Sequence, residues 1–300
     1  MPNNTPAAEV TISHDLIHAL LQEFMPELAD LPLELIGAGW DNEIHRVGKH
    51  HAVRLPRREA ASDLIVNEQR WLPELVDMLP VTIPTPVYSG KPAFGFPWHW
   101  SVVPWISGVA LAHAPALDSD RFMDELAGFL NAMHVPAPED APLNSSRGVP
   151  LPERAESFAN NLALLDEGIL DDGQEDEIRE LWESLVNTPE WGAAPTWIHG
   201  DLHPLNMLVR AGSLHAVIDF GDLAAGDPAT DLAVAWMVFD GDQREEFRRR
   251  LSIDGKSVGI HTWNRAKAWA LNLAVAVLAH TADDPTLRRV GKATLHQVLQ

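Results

Sequence analysis

The strongest constraint on this chain lies at residues 197–222, Trp-Ile-His-Gly-Asp-Leu-His-Pro-Leu-Asn-Met-Leu-Val-Arg-Ala-Gly-Ser-Leu-His-Ala-Val-Ile-Asp-Phe-Gly-Asp. The apolar run Met207-Leu208-Val209 leaves a polar loop, turns at Ala211-Gly212-Ser213 and returns as Ala216-Val217-Ile218, which is a hairpin pattern. A hairpin joins its own two ends, so Asn206 and Asp219 are expected side by side. An amide oxygen and a carboxylate there are hard oxygen ligands, suited to Mg²⁺ shared with phosphate groups. Asp201, five residues before Asn206, is then placed to orient a hydroxyl and accept its proton.

The ordered set His199-Gly200-Asp201, Asn206 and Ile218-Asp219-Phe220-Gly221 resembles the catalytic and metal loops of the aminoglycoside phosphotransferases. These are small-molecule kinases that share the protein-kinase fold. The resemblance implies that Asp201 is the catalytic base, that Asn206 and Asp219 are the metal ligands, and that His199 supports the loop. It further implies an aspartate, here Asp231, that braces the catalytic loop by hydrogen bonds. A helix N-terminus would also favour Asp231 electrostatically.

Composition narrows the alternatives. The 300 residues contain no cysteine, so disulfides, thiolate metal sites and a cysteine nucleophile are excluded. The 14 histidines do not cluster at zinc-ligand spacings; His199 and His203 are four apart, but the loop reading explains His199 better than a metal site does. A formal charge of −21 argues against a nucleic-acid partner, because phosphate neutralisation requires Lys and Arg. It favours a cationic small molecule, or is simply a solvated surface. No apolar run reaches membrane-spanning length, and the start, Met-Pro-Asn-Asn-Thr-Pro, lacks a signal-peptide pattern. A cytoplasmic location without membrane contact is therefore expected; the oligomeric state is left open.

Upstream, apolar positions 16, 17, 20, 21, 24 and 25 mark a helix over 14–28 capped by Ser13. Two strands, 33–36 and 44–47, flank Gly37-Ala38-Gly39-Trp40-Asp41-Asn42, in which Gly37 and Gly39 permit close backbone approach. The resemblance makes this the loop over the nucleotide phosphates. Residues 52–56 form a third strand carrying Arg54, where protein kinases carry a lysine; arginine keeps the charge and adds a fork of donors. Glu68, on a helix over 63–79 that Pro73 should interrupt, is the expected partner of Arg54, with Glu59 as the rival. Two more strands, 87–90 and 98–103, lead to Pro104-Trp105-Ile106. By the family register, the Pro104 carbonyl and the Ile106 amide meet the nucleotide base.

Further on, helices are expected at 118–134 (N-cap Asp118), 153–167, 174–187, 242–251, 261–280 and 285–299, with Asp227 and Pro228 opening another. The proline-rich loop 136–152 is long enough to suggest function. Acids such as Asp222, Asp240 and Asp242 are candidates to meet a cationic sugar. The fold expected is α+β and protein-kinase-like, with two lobes. Residues 1–105 form a nucleotide-binding lobe of antiparallel sheet plus helices, and 106–300 a mostly helical catalytic and acceptor-binding lobe. The activity implied is Mg²⁺-dependent transfer of the ATP or GTP γ-phosphate to a small-molecule hydroxyl, with an aminoglycoside-type antibiotic as the expected acceptor. A macrolide, amino alcohol or sugar is the alternative acceptor. A non-catalytic nucleotide-binding homologue is the alternative from another class.

Overall fold

The computed structural model describes residues 7–114, 119–166 and 168–300. The N-terminal Met-Pro-Asn-Asn-Thr-Pro and the expected cap Asp118 lie outside them. The chain divides into two compact units, Met1–Gly108 with Ala216–Gly221, and Val109–His215 with Asp222–Gln300.

In the first unit, α1 (His14–Phe24) starts where the Ser13 hydroxyl accepts from the Leu16 amide. The helix expected to 28 divides: Met25 leaves helical geometry and Pro26 opens a separate α2 (Pro26–Ala29). Strands β1 (Leu33–Ala38), β2 (Asn42–Val47), β3 (His51–Pro56), β4 (Tyr88–Gly90) and β5 (Trp100–Pro104) make one antiparallel sheet in the order β1-β2-β3-β5-β4. Alternation along β2, β3 and β5 buries Val47, Val53, Leu55, Trp100 and Val102 against Ile17, Leu20 and Leu21 of α1. The helix α3 (Ser62–Leu75) runs through Pro73 and ends two residues later, so the lost N–H falls in the last turn. Gln69 of α3 ties it to β5 by donating to the Trp100 carbonyl at 2.8 Å.

In the second unit, the long helix α10 (Ile260–His280) packs on α5 (Ala155–Ala163), α6 (Gln174–Val186), α7 (Ala229–Leu232), α8 (Val234–Val238) and α11 (Pro285–Leu299). In α4 (Ser119–Met133) the helical period puts Phe122, Leu126, Phe129, Leu130 and Met133 in the core. β6 is Val109–Ala110 and β7 is Thr196–Ile198; β7 pairs with β10 (Ala224–Gly226). No helix among the described residues is long and apolar enough to cross a membrane.

The expected hairpin is β8 (Met207–Arg210) and β9 (Ser213–Val217). Glu125 of α4 clamps it, accepting from the Ser213 hydroxyl at 2.6 Å and the Leu214 amide at 2.7 Å. The turn residues Ala211 and Gly212 have φ of 52° and 79°, the signature of a type I′ turn. An L-residue other than Asn or Gly is strained at the first of these positions. Ala211→Asn is therefore expected to raise stability by about 1 kcal/mol, read as a higher denaturant midpoint; a lower midpoint would contradict the turn type.

Candidate active site

The strand β7 delivers His199, Gly200 and Asp201 into a loop fixed from below. Asp231 in α7 is buried, and its carboxylate accepts from the His199 amide at 2.8 Å and the Gly200 amide at 2.9 Å; His134 Nε2 lies 3.1 Å away. Those partners satisfy an otherwise costly buried charge and fix the loop backbone. A helix of four residues has little macrodipole, so hydrogen bonding is the better account of this aspartate. Gly200 takes φ of 85°, and a Cβ there would collide with the Asp222 backbone, so only glycine fits.

Asp201 follows directly. Its amide donates to His199 Nδ1 at 3.2 Å. Its carboxylate, about one-third exposed, lies 3.4 Å from His203 Nε2 and 3.5 Å from an Arg147 nitrogen. Burial pushes its pKa up. The charge and hydrogen bond of His203, then the charges of Arg147 and His199, outweigh that and hold it well below the usual carboxylate range. Asn206 turns its Nδ2 onto the Asp201 carbonyl at 2.9 Å, leaving Oδ1 as the oxygen available to a cation.

The first unit assembles the other expected residues. Arg54 on β3 donates to Glu68 on α3 at 2.5 Å, and both are buried. Glu59, the rival partner, sits in a 3-10 turn instead. Burial pushes the Glu68 carboxyl up against the pull of Arg54. A second Arg54 nitrogen is 3.5 Å from Asp219, whose side chain is 56 % exposed and whose backbone is left-handed at φ 65°. Thus Arg54, Glu68 and Asp219 meet in one unit, and Asp201, Asn206, His199 and Asp231 in the other. Asp219 in the one and Asn206 in the other each carry an oxygen of the kind that suits Mg²⁺.

Gly37 lies at the end of β1, with Gly39 in the turn that follows it. Neither has positive φ, and a Cβ at Gly37 would meet nothing within 4 Å. Their value is open space over the strand rather than conformational freedom. Arg57 and Arg58 pin the turn by donating to the Gly39 and Trp40 carbonyls. Pro104 ends β5 opposite His51, and the next amide, Trp105, donates to the His50 carbonyl at 2.8 Å, placing Ile106 just beyond the sheet.

Sequence reasoning missed four contributors. Arg147 and Asn144 come from the proline-rich loop; Asn144 donates to Asp222 at 2.7 Å and Arg147 Nε lies 3.8 Å from the same carboxylate. His203 adjoins the base. Asp227, expected as a cap, accepts from the Ala229 amide but also forms a buried two-point ion pair with Arg265, at 2.5 and 3.1 Å. Asp240, considered for substrate contact, instead caps α9 (Gly241–Arg250) in a reciprocal capping box with Gln243. The loop's length was the one available signal for Arg147 and Asn144.

The family model for the phosphotransferase enzyme family, APH, matches residues 32–269. The chain belongs to the phosphotransferase enzyme family. Solved structures share its α+β, two-lobe, kinase-like fold. The GDP and kanamycin complex of APH(2")-IIia is 22% identical, with TM-score 0.71, covering 94% of this chain and 98% of that one. The streptomycin–ATP ternary complex of APH(2")-IIa is 19% identical, with TM-score 0.59, covering 94% and 95%. Macrolide 2'-phosphotransferase type I is also 19% identical, with TM-score 0.62, covering 95% and 97%. No curated protein sequence matches the chain. The expected resemblance and fold class thus hold.

Proposed function

We propose that this phosphotransferase transfers the γ-phosphate of ATP or GTP to a hydroxyl of a small molecule. The observation that carries the reading is Asp201, kept ionised and fixed by a loop whose amides are spoken for by Asp231. Asp201 orients the acceptor hydroxyl and takes its proton as the oxygen bonds to the γ-phosphorus. The bond to the β–γ bridging oxygen breaks, and the nucleoside diphosphate leaves. Arg54, held by Glu68, grips the phosphates, and the 37–42 loop covers them. The Asn206 and Asp219 oxygens would hold Mg²⁺, which supplies charge neutralisation on those phosphates. Pro104 and Ile106 offer backbone groups to the base, and His199 and Asp231 position the loop.

On net charge alone, an aminoglycoside-type cation is the expected acceptor, with macrolides, amino alcohols and sugars as competitors. The relatives' bound kanamycin and streptomycin make that class worth testing. The test is mass spectrometry after incubation with Mg²⁺, ATP or GTP and a panel of aminoglycosides, macrolides, sugars and hydroxy acids. A phosphorylated product that disappears in Asp201→Ala is expected. Tight binding of Mg²⁺ and ATP with no acceptor modified across the panel would favour the non-catalytic homologue.

A further inference from the structure

The proline-rich loop after α4 builds a wall beside the base. Asn144 Oδ1 accepts from the Ser146 and Arg147 amides at 2.8 and 3.1 Å, while its Nδ2 donates to Asp222. That turn sets the Arg147 guanidinium 3.5 Å from Asp201 and 3.8 Å from Asp222, within ion-pair reach of both. Next to it, Gly148 is left-handed at φ 67° and packs on Gly226 so closely that a Cβ on either would strike the other's Cα. The Gly148 amide donates to the Thr230 hydroxyl at 3.0 Å, and its carbonyl accepts from the Asp227 amide at 2.9 Å. The wall is therefore fixed at both ends.

A pocket of about 290 Å³ opens on this wall, with Asn144 and Arg147 in its lining. Leu143, Val149, Pro150, Trp191 and Pro195 make its other sides. The Trp191 indole N–H is already spent on the Ala194 carbonyl at 2.9 Å, which leaves the ring as apolar surface. The acids here are matched from within the chain: Asp222 by Asn144 and Arg147, Asp227 by Arg265. Glu190, exposed, is the other acid of the lining. An incoming ammonium thus finds its place beside Asp201 and Asp222 taken by a guanidinium. At such partial exposure an ion pair is worth under about 1 kcal/mol, whereas seating one apolar ring is worth roughly 1.5–3 kcal/mol. The volume lies at the small end for ligand pockets, enough for one ring and not for the body of a macrolide.

We infer that this pocket is the acceptor's specificity subsite, and that it takes one uncharged ring or branched chain of a small alcohol whose hydroxyl passes Arg147 to reach Asp201. Arg147 acts there as a built-in counter-cation. This rests on the phosphotransfer reading and deepens it: apolar fit, not positive charge, selects the acceptor.

The probes are 3-phenylpropane-1,2-diol, propane-1,2-diol, phenylalaninol and kanamycin. Calorimetry with Mg²⁺ and ADP present is expected to show the phenyl diol binding at least about tenfold tighter than propane-1,2-diol, equivalent to about 1.4 kcal/mol, and tighter than kanamycin. Phenylalaninol, which exchanges one hydroxyl for an ammonium, should stay within about threefold of the phenyl diol. Ala193→Trp and Leu143→Asp, both at exposed positions of the lining, should erase the ring's advantage and leave propane-1,2-diol binding as it was. Arg147→Gln should uncover two carboxylates and raise the preference for phenylalaninol over the phenyl diol about tenfold, which loss of a merely structural residue would not do. A phenyl diol no tighter than propane-1,2-diol, or an amine tenfold tighter than the phenyl diol in the unaltered protein, would overturn the inference. Transfer from ATP is followed in the same mixtures. Ring-dependent binding without any transfer would count against the phosphotransfer reading and leave the pocket standing. Transfer to kanamycin with no dependence on the ring would do the reverse.

Discussion

Alanine at position 201 is expected to lower kcat by about 10³-fold while nucleotide binding persists. The carboxylate belongs to the second unit, whereas Arg54, proposed to grip the phosphates, and Asp219, one of the two proposed metal ligands, belong to the first. Loss of Asp201 therefore removes hydroxyl orientation and proton acceptance, not the nucleotide's main anchors. Steady-state kinetics with calorimetric ATP titration check this; full activity in the variant would sink the assignment. Asp201→Asn should be nearly as inactive, since the amide cannot take a proton. The pH profile adds a signed test. A carboxyl held below its ordinary range keeps its charge as pH falls through 5 and is protonated only in stronger acid. An activity loss between pH 7 and 5 must then come from another group. Removing the Arg147 charge should move the acid limb upward.

Glu68→Leu is expected to destabilise the fold by about 3–5 kcal/mol, because it strands the Arg54 guanidinium in the sheet interior. Asp219 softens the loss only slightly, since it stands 3.5 Å from Arg54 and is more than half exposed. The double variant Arg54→Met/Glu68→Leu should recover most of that stability, as apolar side chains of similar volume often replace a buried ion pair at no cost. It should recover no activity if Arg54 grips the phosphates. Equilibrium denaturation of the two variants, beside their turnover, separates the roles. A single variant as stable as the wild type would show that the pair is not desolvated in solution.

Much of this arrangement is legible in the residues, for reasons that differ by element. The hairpin after Asn206 is readable because two apolar runs flank a Gly-containing turn. The α4 core positions follow from a helical period, and Glu68 follows from its place on a helix face one element after Arg54. Helix limits are less legible. Met25 and Pro26 divide one periodic run, and Pro73 ends a helix later than a lone proline suggests, because only its own N–H is missing. Arg147, Asn144 and His203 were beyond reach. They lie in loops with no period, and their partners Asp201 and Asp222 are 54–78 residues away or, for His203, on the same short loop. Asp240 misled for a related reason. A helix-capping acid and a substrate-binding acid look alike until the following amides are located.

The excursion of Ala216–Gly221 into the first unit also bears on how such a chain can be recombined. Val217 donates to the Thr82 carbonyl at 3.1 Å, and Asp219 stands by Arg54, although more than a hundred residues separate each pair. A chimaera of two relatives joined at one crossover near residue 108 would draw the arginine and the aspartate from different parents. The unit of inheritance is thus the N-terminal segment and this six-residue excursion together. Shuffling that respects it needs three crossovers, and single-crossover libraries should be depleted of active members wherever the parents differ at these contacts.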